Sequence, residues 1–102
     1  MDSIEGLNGC RAQLNELDKK IIDLFAERDD VACNVAAFKE QLGRPSYDEV
    51  QEEAMINSRR VMAEAMGLDP DYIEEIFRRV HDHSVEVQEA FRTELNTIAT
   101  DA

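Results

Sequence analysis

Apolar residues return every three or four positions along the first third of the chain, at Leu14, Leu17, Ile21, Leu24, Val31, Val35 and Phe38. That spacing lines one face of an α-helix and keeps a heptad register. From Asn8 to Gln41 there is no proline, and the only glycine, Gly9, falls in the first turn. The pattern predicts a single long helix over Asn8–Gln41. It should stop near Leu42–Gly43, where Gly43 can take the left-handed conformation and Pro45 forbids continuation. Met1–Leu7 reads as a frayed end, with Ser3 or Asn8 as the cap. The stripe has one break: Arg28 stands where the next apolar residue should fall.

A second helix is expected to begin around Ser46 or Tyr47, with Asp48, Glu49, Glu52 and Glu53 in its first turns, where carboxylates suit the helix dipole. Its apolar side is less regular: Val50, Ala54, Met55, Val61, Met62 and Ala65, ending at Gly67. Asp69 followed by Pro70 is an N-cap and first-turn pair. The third helix then runs to about Leu95 with Ile73, Ile76, Phe77, Val80, Val87 and Phe91 on one face, leaving Asn96–Ala102 as a small, polar tail. No segment reads as a strand. The expectation is all-α: three helices of roughly 33, 20 and 26 residues in one domain, 1–102, with its core at 8–95 and frayed termini. A first helix of that length is a rod of roughly 50 Å, against a radius of gyration of ~13 Å for a compact chain of this size. The residues that follow cannot bury it along its length. A second copy of the chain is expected to cover it, giving an intertwined homodimer; the alternative is a free coiled coil.

Charge narrows the partners. With 23 acidic against 11 basic residues the net charge is −12, and no basic stripe forms, so nucleic acids and anionic membrane surfaces are poor partners. An anion site has to be built locally from few cations. Cys10 and Cys33 have no metal-ligand neighbours at suitable spacing and read as reduced packing thiols. No run approaches 18 apolar residues and no leader pattern opens the chain, so a cytoplasmic setting is expected.

Candidate chemistry lies in the polar residues that interrupt apolar faces. Lys39 is 11 residues beyond Arg28, only about 20° away in azimuth, so the two cations look the same way. They fit a clamp on the two ends of a small anion, or equally an ion pair in a helical seam and a lysine snorkelling at a helix end. Ser84 and Gln88 project together from the third helix and suit either a ligand or a bond that fixes helix register. Asp48 and Glu52 share a face and read as solvated first-turn acids, too few to form a di-metal cluster. His81 and His83 point apart on a helix, which argues against a metal site. No nucleophile relay can be assembled, and neither metal nor cofactor is expected. A reaction driven by orientation and charge, without a covalent step, fits best.

Taken in order, these residues resemble the all-helical chorismate mutase family, in its small bacterial and archaeal form. The likeness runs from Arg11 to about Phe91. It is carried by Arg11, Leu17, Asp18, Ile21, Leu24 and Arg28, then Lys39, then Gly43, Arg44, Pro45, Asp48 and Glu52, and finally Ser84 with Gln88. The resemblance implies an intertwined homodimer that rearranges chorismate to prephenate without cofactor or metal. It further implies that Arg11, entering from the partner chain, and Arg28 grip the two carboxylates, and that Lys39 and Gln88 address the ether oxygen. Asp48 and Glu52 would hold the ring hydroxyl, and Ser84 would complete the carboxylate shell.

One departure stands out: close relatives of this type have arginine immediately before the glutamate, where this chain has Gln51. Loss of that charge is expected to raise KM. It also leaves 4-amino-4-deoxychorismate open as a substrate, since a cationic ring substituent suits a less positive site. Isochorismate pyruvate lyase activity is a second enzymatic alternative. A third is a non-catalytic helical dimer that regulates a larger shikimate-pathway enzyme, with Met55, Met62 and Met66 as the surface to inspect.

Overall fold

In the computed structural model, which describes residues 2–101, the chain forms three α-helices: α1 (Ser3–Leu42), α2 (Glu49–Ala65) and α3 (Pro70–Asp101). Both outer helices are longer than the apolar pattern implies. The backbone N–H of Glu5 donates to Asp2 Oδ1 at 2.7 Å, so Asp2 is the cap of α1 and the turn over residues 3–7 is helical. The expected tail from Asn96 continues α3 as far as Asp101, with the Thr97 and Thr100 hydroxyls donating to carbonyls one turn back. Whether the chain frays at Met1 and Ala102 lies outside the described residues.

The helix stops follow the glycines. Gly43 has φ 67° and Gly67 has φ 74°. After α1, Arg44 N donates to the Lys39 carbonyl at 2.9 Å and Gly43 N to that of Glu40 at 3.3 Å. After α2, Leu68 N donates to the Ala63 carbonyl at 2.8 Å and Gly67 N to that of Glu64 at 3.1 Å. These paired bonds satisfy the last carbonyls of each helix around a left-handed residue that glycine adopts without a Cβ clash. At the start of α3, Asp69 Oδ1 accepts from Asp71 N at 2.9 Å, with Pro70 behind it.

The start of α2 differs from expectation. Asp48 is its N-cap, in extended conformation, and Glu49 its first helical residue, so Ser46 and Tyr47 belong to the connecting loop. Its buried face also differs. Val50, Val61 and Met62 are exposed, while Glu52, Met55, Ile56 and Ala63 are buried. The true stripe carries a glutamate in its first turn, which hid it from a search for apolar periodicity.

The chain divides into two units, one ending at Val31 and one beginning at Ala32. In the first unit the α1 stripe is well exposed: Leu14 58%, Leu17 52%, Ile21 49% and Leu24 62%. In the second unit α2 packs along α3, and the buried apolar residues are Ala32, Ala36, Met55, Ile56 and Ala63. Four polar residues, Ser46, Glu52, Ser84 and Gln88, are buried with them. So high a polar share in a small core demands hydrogen-bonded partners. No helix among the described residues is long and apolar enough to cross a membrane.

Candidate active site

Within the second unit, three elements converge on a lysine. Lys39, in the last turn of α1, donates from Nζ to the Ser46 carbonyl at 2.6 Å and to Gln88 Oε1 at 2.9 Å. Gln88 Nε2 donates to Ser84 Oγ at 3.3 Å, one turn earlier on α3. An ammonium has three donors and an amide nitrogen two. Among the described residues, Lys39 and Gln88 each keep one N–H uncommitted. Burial pulls the Lys39 ammonium below the ordinary lysine pKa; Asp48 pushes it back up and Arg92 adds to the lowering.

Arg92 was not singled out by the sequence, yet it fixes this corner. Its Nε donates to Glu40 Oε2 at 2.7 Å and its NH1 to Ser46 Oγ at 3.0 Å. It ties the end of α1 and the loop to α3, holding the Ser46 carbonyl that Lys39 uses. An arginine between Phe91 and Thr93 reads as an ordinary surface cation until the partners from residues 40 and 46 are in place.

The next residue of the loop, Tyr47, leads to a second polar cluster around Glu52. The Tyr47 hydroxyl donates to Glu52 Oε1 at 3.3 Å, and Arg78 NH1 stands 3.6 Å from the same oxygen. His81 Nε2 is 3.7 Å from Glu52 Oε2, and the imidazole meets the Tyr47 ring edge-on, centroids 6.2 Å apart. Arg78 is held more tightly elsewhere, to Glu74 at 2.8 Å and Glu53 at 3.3 Å. Its grip lowers the Glu74 pKa. Loss of solvent around the Tyr47 oxygen, followed by the Glu52 charge, raises its pKa, so the phenol remains a donor. Among the described residues, the Glu52 carboxylate is thus buried with no hydrogen bond shorter than the 3.3 Å one from Tyr47.

The structure therefore brings Lys39, Ser84 and Gln88 into one bonded chain and sets Glu52 in the adjoining cluster. Asp48 is exposed, and its Oδ1 accepts from Gln51 N at 3.1 Å as the α2 cap. Gln51 is itself exposed. In the first unit Arg11 is exposed and Arg28 half-buried. His81, whose spacing from His83 argues against a metal site, faces Glu52; His83 is exposed.

Comparison with known proteins gives a consistent picture. A family model described as chorismate mutase type II matches residues 10–89. A chorismate mutase of Methanocaldococcus jannaschii is 32% identical over 91 residues, covering 89% of this chain and 92% of that protein. The T-protein of Enterobacter agglomerans is 37% identical over 89 residues, or 85% of this chain but 24% of the T-protein. The bifunctional chorismate mutase/prephenate dehydratase of Escherichia coli strain K12 is 31% identical over 90 residues, again only 23% of its length. The chain thus spans about a quarter of the two longer relatives.

Proposed function

The chain belongs to the chorismate mutase type II family, and we propose that it catalyses the intramolecular [3,3] rearrangement of chorismate to prephenate. The observation that carries this reading is the pair of uncommitted donors on Lys39 and Gln88, locked by their mutual 2.9 Å bond. In this rearrangement the C–O bond breaks ahead of full C–C bond formation, so negative charge grows on the ether oxygen. Donors fixed before that charge appears bind the transition state better than the ground state. The Lys39 point charge and the neutral Gln88 amide supply such donors, and Ser46 and Ser84 hold them in place.

The remaining roles follow the order of residues along the chain. Arg28 and the partner subunit's Arg11 grip the two carboxylates, Ser84 completes the carboxylate shell, and Glu52 receives the ring hydroxyl. Arginine forks suit carboxylates bidentately and keep the enolpyruvyl arm folded over the ring. Asp48 acts at longer range, as the α2 cap and as a charge that supports the Lys39 ammonium. A homodimer formed by residues 1–102 as a single domain unit is supported by the exposed stripe of Leu14, Leu17, Ile21 and Leu24. A cytoplasmic setting is part of this reading. A larger enzyme of the same pathway is a further partner in this reading. Incubation with chorismate, following its absorbance and identifying the product by mass, tests the proposal. Absence of prephenate would refute it, and salicylate from isochorismate would replace it with the lyase.

A further inference from the structure

His81 Nε2 is fully buried and, among the described residues, has no hydrogen-bond partner. It stands 3.7 Å from Glu52 Oε2, too far for a hydrogen bond. Glu52 in turn is 8% exposed, and Tyr47 at 3.3 Å and Arg78 at 3.6 Å both address its other oxygen, Oε1. A buried donor without an acceptor and a buried carboxylate oxygen without a short donor face each other across one gap. Buried polar groups left in this state are costly, so a group that bonds to both atoms is favoured there.

We propose that His81 is a specificity-determining residue, its Nε2 and Glu52 Oε2 together taking the ring hydroxyl of the substrate. This rests on the mutase reading above. An atom ~2.8 Å from both would see them about 80° apart, within reach of one hydroxyl after small side-chain shifts. Facing a carboxylate, the imidazole presents Nε2–H and not a lone pair, because two lone pairs at this distance repel. The hydroxyl then donates to Glu52 and accepts from His81. An ammonium in its place donates to Glu52 but has nothing to accept with, so it leaves His81 unmatched. The pair therefore selects a C4 hydroxyl over a C4 amino group. The edge-on Tyr47 ring fixes the imidazole plane, and Arg78 stays on the far oxygen of Glu52.

The test compares chorismate with 4-amino-4-deoxychorismate, as substrate or, where no product forms, as competitive inhibitor. The variants are His81→Leu, His81→Phe and His81→Gln, each checked for helical circular dichroism. Phe keeps an aromatic ring against Tyr47 and removes the ring nitrogens, so it stands if Leu does not fold. We expect Leu and Phe to lower kcat/KM for chorismate about tenfold, as for one lost hydrogen bond to a buried partner, and to alter recognition of the amino compound by less than about twofold. His81→Gln, which restores an N–H, should return chorismate activity to within about threefold of the parent protein. Parallel losses on both compounds would make His81 a packing residue and overturn the inference, as would no loss at all. A parent protein that prefers the amino compound would overturn it while leaving the mutase chemistry intact. A parent protein that acts on neither would sink the mutase reading first, and this inference with it.

Discussion

Replacing Lys39 with methionine separates the site's chemistry from its architecture. Methionine keeps the aliphatic bulk and removes the ammonium, leaving the Ser46 carbonyl and Gln88 Oε1 without the bonds now made at 2.6 and 2.9 Å. Two acceptors losing a charged donor would cost roughly 2–4 kcal/mol if both stayed buried and dry. The lowered Lys39 pKa shows that burial already disfavours the ammonium, so its removal returns part of that loss. The net loss of stability is expected at about 1–2 kcal/mol. Activity should fall much further. A donor aimed at developing oxyanion charge is worth about 3–4 kcal/mol, so kcat/KM should drop about 10²–10³-fold, mainly in kcat. The pH profile gives an independent reading. With no general base in the inventory, kcat of the parent protein should be nearly flat from about pH 6 to pH 9. It should then fall along a single alkaline limb, as Lys39 loses its proton below the ordinary value of 10.5. Stability moves the other way over the interval between the lowered value and 10.5. There the unfolded chain holds the proton more often than the folded one, so this group's contribution to stability rises with pH. The checks are chorismate kinetics from pH 6 to pH 10.5 and thermal melts across the same range. A loss under about fivefold (roughly 1 kcal/mol), an unchanged alkaline limb in Lys39→Met, or a bell-shaped profile centred near neutrality would refute the assignment.

Three further outcomes are expected. Arg11→Ala and Arg28→Ala should each be nearly inactive alone, and co-refolding equal amounts should restore roughly a quarter of parent activity, since half the dimers are mixed and each then has one intact site; a mixture that stays inactive would show Arg11 working in its own chain. Gln51→Arg should lower KM with kcat little changed, because an added cation beside an acidic chain attracts the dianion in ground and transition states alike; an unchanged KM would make the position peripheral. Arg92→Leu removes the ties to Glu40 at 2.7 Å and Ser46 at 3.0 Å; with Glu40 partly exposed, about 1–2 kcal/mol of stability should go, together with a several-fold fall in kcat as the Ser46 carbonyl loosens, and a melting temperature and kcat both equal to the parent would refute its positioning role.

Local rules written in neighbouring residues were legible in the chain. Gly43 and Gly67 end helices because a left-handed turn suits a residue without a Cβ, and Asp69–Pro70 starts one because a side-chain oxygen and a missing N–H are both needed there. Ser84 and Gln88, one turn apart, had to face the same way, and they are bonded. The sequence also determined that Lys39 is an outlier near the end of a long apolar face. Tertiary structure alone decided what those polar residues meet. The bond from Lys39 to Gln88 joins residues 49 apart, and that from Arg92 to Glu40 residues 52 apart, separations over which no periodicity carries information. The buried face of α2 was decided the same way. Glu52 occupies a core position because Tyr47, Arg78 and His81 approach it in space, and a pattern of apolar residues cannot register a buried charge whose compensation comes from other elements. For the same reason the pattern does not show that Asp48 caps a helix, or that His81, whose spacing from His83 argues only against a metal site, faces a buried oxygen of Glu52.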